Sequence, residues 1–269
     1  MGVNPRLCFT AHHDTVHRTG GMQAVVVSNG VAAVADPINS SCLGADCTTG
    51  IWLMLNMIEA GIQGTYVVHS AEEVGCKGSS GLVYDNPAWL DYTQAVISFD
   101  RKGTDSVITH QMGIRTASDE FAKSFSDALN LPQLKSDKHG SYTDSNEYAR
   151  VVAECTNISV GYYNQHSVAE TQDLEFAELL LNHLLDADWS KIVISRDPAI
   201  YEDSWSYHDQ PMYEYGHREA LDMVSVVEDN PESIANLLES LGYTYQTLLD
   251  DIDSGDSFYT NNYGARRMM

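Results

Sequence analysis

The chain has 269 residues, 43% of them hydrophobic and 9% aromatic, which is enough for a buried core and excludes wholesale disorder. Fifteen Lys and Arg against 38 Asp and Glu give a formal charge of −23, a surface that repels phosphate backbones and anionic headgroups, so neither nucleic-acid nor membrane partners are expected. No apolar run reaches the roughly 18 to 20 residues that cross a bilayer, and the start MGVNPRLCF lacks the layout of a secretory signal, so the expected location is cytoplasmic.

In chain order, short β-rich runs are predicted as strands at Leu7 to Ala11, Gln23 to Val27, Val31 to Val34, Thr65 to His69, Ala95 to Phe99, Ser106 to Thr109 and Thr156 to Val160. Asn29-Gly30 between the second and third is a hairpin signal. Between and after them, helices are predicted at Thr48 to Glu59, Ser118 to Leu129, Ser145 to Arg150 and Leu174 to Ala187; in the last, Phe176, Leu179, Leu180, Leu184 and Leu185 keep helical spacing. Strands alternating with helices imply an α/β fold, a mostly parallel mixed sheet flanked by helices on both faces. From residue 197 the character changes: 15 acidic residues meet only Arg218, Arg266 and Arg267. This divides the chain into an α/β domain, 1–196, and an acidic, partly helical C-terminal extension, 197–269, with helices expected at Asp222 to Glu228 and Pro231 to Leu241.

Ligands in open α/β sheets gather at the carboxyl ends of strands. Four predicted strands are followed there by metal-ligand types: His12-His13-Asp14, Glu72-Glu73, Asp100, and Gln165-His166-Ser167. A further carboxylate, Asp46, precedes the helix expected from Thr48. Each has a bland reading: a satisfied core histidine, a helix cap at Asp46, a solvated pair at Glu72 and Glu73, or an ion pair of Asp100 with Arg101 or Lys102. Together, two imidazoles and three carboxylates suit a pair of divalent cations sharing one bridging carboxylate, with Zn²⁺ as the leading metal and Co²⁺ or Mn²⁺ as alternatives. Alternation along an extended chain puts His12 and Asp14 on one side, His12 as ligand and Asp14 as the group that orients its imidazole. Of Glu72 and Glu73, one coordinates and the other carries a proton. The five cysteines, scattered and odd in number, read as reduced core thiols.

With these residues in place the sequence resembles the co-catalytic zinc peptidases, the group that includes the M28 aminopeptidases and the M20 carboxypeptidases and dipeptidases. The resemblance rests on His12-His13-Asp14, Gly44-Ala45-Asp46, Ala71-Glu72-Glu73-Val74-Gly75 with Gly78, Phe99-Asp100-Arg101, and Gln165-His166-Ser167 with Glu170, and it runs from about residue 6 to about residue 190. It implies a zinc-peptidase, phosphorylase/hydrolase-like fold in which Asp46 bridges two metals. His12 and Asp100 would complete one site and Glu73 and His166 the other, with Glu72 as general base and Asp14 orienting His12. Ser141-Tyr142-Thr143-Asp144-Ser145 resembles the loop that borders the cleft, its alternative being a helix cap by Asp144 or Ser145. Two features depart from the pattern: Cys47 stands where a second Asp often follows the bridging one, and only eleven residues precede His12, which implies a pared-down start or an incomplete one. Sixty-five residues separate Asp100 from His166, too few for the lid domain that M20 enzymes insert there, so the resemblance favours an M28-like aminopeptidase acting on small peptides. Its rivals are an M20-type deacylase or dipeptidase acting on N-acyl or other small amides, and a non-catalytic interaction protein.

Overall fold

A computed structural model describes residues 6–200, except Thr19 and Asn86, together with Thr244 and Gln246. Its first strand, β1 (Leu7–His12), is buried along its whole length, as a near-continuous apolar run at the centre of a parallel sheet should be. The chain continues through β2 (Val25–Ser28), β3 (Val31–Val34), α1 (Ala45–Glu59), β4 (Thr65–His69), α2 (Lys77–Asp85), β5 (Ala95–Arg101), β6 (Ser106–Ile108), β7 (His110–Gln111) and β8 (Ile114–Arg115). There follow α3 (Asp119–Leu129), β9 (Lys135–Asp137), α4 (Asp144–Glu147), β10 (Glu154–Ser159), β11 (Tyr162–Tyr163), β12 (Thr171–Asp173) and α5 (Leu174–Asp186).

Six strands form the central sheet in the order β4-β1-β5-β10-β6-β9, parallel except where β6 meets β10. Alternate side chains of β1 and β5 divide between two cores. Leu7, Phe9, Ala95, Ile97 and Phe99 pack with residues of α1, α3 and α5, while Cys8 and Val96 pack with Tyr148, Ala149 and Val152. Helix α1 lies so close to β5 that a Cβ on Gly50 would sit 2.3 Å from the Phe99 carbonyl oxygen. A smaller antiparallel sheet, β11-β12-β3-β2, carries the expected hairpin, with Asn29 and Gly30 both at positive φ. Among the described residues no helix is long and apolar enough to cross a membrane. All five cysteines are buried and free.

Several boundaries differ from the sequence reading. Helix α1 begins at Ala45 rather than Thr48, so Asp46 lies inside its first turn. The helix expected at Ser145 to Arg150 is a single turn, Asp144–Glu147; beyond it the chain turns, and Arg196 donates to the carbonyls of Ala149, Val152 and Ala153. The strand expected from Gln23 starts at Val25. Helix α2 departs from the sequence reading because its Gly and Ser leave no apolar helical spacing, and the strands β7, β8, β9, β11 and β12 because two or three residues carry no readable period. The acidic extension with its two expected helices lies, after Ile200, outside the described residues apart from Thr244 and Gln246.

Candidate metal centre

The site is assembled at the carboxyl edge of the central sheet. β1 delivers His12, which is 2% exposed. Its Nδ1 lies 3.0 Å from the backbone carbonyl of Asp14, which can only accept, so Nε2 is left with its lone pair turned toward Asp100, 3.7 Å away. The Asp14 carboxylate stands 3.8 Å from that ring and instead accepts the backbone N–H groups of Glu72 and Glu73, each at 3.1 Å. Of Asp14, it is thus the carbonyl that meets the His12 ring, while the carboxylate fixes the turn bearing the two glutamates. That turn follows β4 and is sharp, with Ala71 and Cys76 at positive φ.

Asp100, at the end of β5, is held on several sides and does not pair with a neighbouring cation. Thr143 donates to its Oδ2 at 2.9 Å, Tyr162 approaches Oδ1 at 3.4 Å, and Asn157 bonds its backbone N–H and carbonyl. Arg101 turns to Asp137 instead, at 3.3 Å. Asp46, 4% exposed, lies inside the first turn of α1, where its Oδ1 accepts the N–H of Cys47 at 2.8 Å; just ahead of it, the fully buried carboxylate of Glu170 accepts the N–H groups of Leu43, Gly44 and Ala45 at 2.8 to 3.0 Å. His166, at φ 62° and half-exposed, brings Nε2 to 2.9 Å from Asp46 Oδ2 and 3.0 Å from Glu73 Oε1.

All the sequence-predicted site residues except Asp14 line one cleft of about 360 Å³, bordered by Cys76, Ser141, Tyr142, Thr143 and Tyr162. Two triads lie within ligand reach of each other's atoms: His12, Glu72 and Glu73, and Asp46, Glu73 and His166. The first differs from the expected grouping, since Glu72 stands closer to His12 than a remote base would. Asp144 caps nothing; buried, it receives a 2.6 Å hydrogen bond from Ser79 and ties α4 to α2. Asn157, Tyr162 and His69 are the residues sequence reasoning missed, whereas Ser141, Tyr142 and Thr143 of the expected bordering loop line the cleft. His69, paired with His12 in the register of β1 and β4, meets the Tyr148 hydroxyl at 3.0 Å.

The electrostatics call for positive charge. Burial opposes protonation of His12, but the adjacent carboxylate of Asp100, with those of Glu72 and Asp46, carries its pKa up to about 10. The close carboxylates of Asp46 and Glu73 raise His166 to about 10. Burial, then the charge of Asp100, pushes Glu72 up to about 8. Asp46 stays below the usual carboxylate range despite its burial, because His166 and His12 face it. Glu73 Oε1 is buried without a hydrogen-bond donor, its 3.0 Å approach to His166 lacking the required alignment. Converging lone pairs, a buried acceptor without a donor and a nitrogen freed by its tautomer fit a divalent cation.

Comparison with known proteins gives a match to the model of "Peptidase family M28" over residues 2–151, a span that holds His12, Asp14, Asp46, Glu72, Glu73 and Asp100. Among solved structures the fold is similar to aminopeptidase PepT from Bacillus cereus ATCC 10987, at 13% identity, covering 69% of this chain and 80% of that one with a TM-score of 0.56. It is equally similar to a tripeptidase from Staphylococcus aureus subsp. aureus Mu50, at 13% identity, covering 69% and 81%, also with a TM-score of 0.56. No curated protein matches the chain.

Proposed function

The chain belongs to peptidase family M28, and from that premise we propose that it is a metal-dependent aminopeptidase whose catalytic unit is residues 1–196. The observation that carries the reading is the convergence of His12, Asp46, Glu73, Asp100 and His166, from separate elements, around one cleft that also holds Glu72.

In this reading two divalent ions, Zn²⁺ first among them, would be held by His12 and Asp100 and by Glu73 and His166, with Asp46 as the ligand common to both sets. Such ions supply Lewis-acid chemistry, activating water and polarising a carbonyl. The protein's own work is positional and protolytic. The Asp14 carbonyl keeps His12 in the tautomer that presents Nε2, and Thr143 and Tyr162 hold Asp100 in place. Glu72, partly buried on the wall of the same cleft, takes a proton from the attacking water at its carboxylate and delivers it to the leaving amine nitrogen.

Elemental analysis of the purified protein, paired with a panel of aminoacyl anilides, N-acyl amino acids and dipeptides, tests this. Two equivalents of metal and chelator-sensitive turnover of free-amine substrates are expected. Turnover of the N-acyl compounds alone would replace the aminopeptidase with a deacylase, and absence of metal binding would refute the site.

A further inference from the structure

A second cavity, of about 610 Å³, opens beside the metal cleft, and Gln165 lines both. Its walls continue the segments that carry the candidate ligands: Arg101 and Lys102 directly follow Asp100, and Tyr163, Asn164 and Gln165 directly precede His166. The chain has only 15 Lys and Arg within a net charge of −23, yet Arg101, Lys102 and Lys135 meet here.

Two carboxylates, Asp105 and Asp137, share the wall. Asp137 is already engaged, accepting from Arg101, Ser106 and both the backbone and the ring of His139. The Arg101 guanidinium, only 15% exposed, gives one Nη to Asp137, while its Nε is buried without a hydrogen-bond partner. An always-charged guanidinium at a cavity wall, meeting Asp137 through only one nitrogen, attracts a further carboxylate. Three cations against two carboxylates leave one net positive charge, suited to a monoanion rather than to a dianionic phosphoryl group.

We propose that the cavity lined by Arg101, Lys102 and Lys135 binds a carboxylate of the substrate, so that the enzyme prefers short peptides bearing a free carboxylate beyond the scissile bond. This rests on the peptidase reading of the adjoining cleft. The carboxylate can come from the peptide's C-terminus or from an acidic side chain.

The test uses the full-length, metal-loaded protein and three substrates: Leu-Gly-Gly, its C-terminal amide, and Leu-Glu amide. A charge-assisted contact should make kcat/KM for the preferred carboxylate substrate about 10- to 100-fold higher than for the neutral amide. Preference for Leu-Gly-Gly alone assigns the pocket to the C-terminus, and preference for Leu-Glu amide alone assigns it to a side chain. In Lys102→Gln, at an exposed position, and in Arg101→Gln, the ratio should fall toward one; the lysine variant guards against the loss of the Arg101–Asp137 contact. Equal kcat/KM for all three substrates, or a ratio unmoved in both variants, overturns the proposal and leaves the peptidase standing. Absence of hydrolysis of any of the three overturns the peptidase reading and takes this inference with it.

Discussion

Asp14 works through two different atoms: its carbonyl sets the tautomer of His12, and its carboxylate gathers the amides of Glu72 and Glu73. One residue thus places three others, which explains why the H-x-D spacing, legible in the sequence as a strand-end motif, mattered for a reason the sequence did not reveal. At the same scale, Glu72→Gln should lower kcat by at least about 100-fold while bound metal stays near the wild-type level, as measured by single-substrate kinetics and elemental analysis, because in the proposed mechanism it removes the proton carrier and no ligand. Unchanged turnover would remove Glu72 from the mechanism. His69 offers a second readout. Burial, then the charge of His12, depresses its pKa from 6.5 to about 4, so between those values the unfolded chain binds a proton that the folded chain does not. Its stabilisation is complete above pH 6.5 and is lost as pH falls through about 4, a contribution on the order of 3 kcal/mol. Urea midpoints followed across that window should slope in the wild type and flatten in His69→Gln; parallel curves would contradict the assignment.

Among the elements, α1 shows where local reading stops. Its apolar spacing was legible, but its start was not, because the carboxylate that accepts its first amide comes from Glu170, 125 residues beyond Ala45. That carboxylate satisfies the amides of Leu43, Gly44 and Ala45, the segment that leads into the helix presenting Asp46. Glu170→Ala leaves those donors without a charged acceptor and should cost at least about 3 kcal/mol in chemical denaturation, while weakening metal retention through displacement of Asp46. A variant with wild-type stability and metal content would deny Glu170 this role. By contrast, Ser118 and Asp173 cap α3 and α5 from their own adjacent positions, accepting the N–H groups of Phe121 and Phe176, and those two helices matched their sequence boundaries to within a residue. The short strands β11 and β12 belong to the opposite case, held by pairing with each other and with β3 rather than by any pattern of their own.

For the whole molecule, acidic groups converge where they would repel one another unless positive charge joins them. Protons on His12 and His166 supply it in part, and divalent cations supply it better. Since the ions bind the folded chain and find no assembled site in the unfolded one, chelation should lower the melting temperature by roughly 5–10 °C, with recovery on adding metal back. Calorimetric scans with and without chelator measure this, and an unmoved transition after verified metal loss would count against a built metal centre.

The amino-acid sequence by itself determined the layer architecture, the strand ends that carry ligand types, and the local caps, because these depend on periods of two and 3.6 residues and on chemistry within a few positions. Only the tertiary structure decided that Glu170 holds the segment leading into α1, that Thr143 and Tyr162 hold Asp100, that His69 backs His12, and that Arg101 turns from Asp100 to Asp137. Those contacts join residues tens to more than a hundred positions apart, and their geometry is set by how whole elements pack, which no local period encodes.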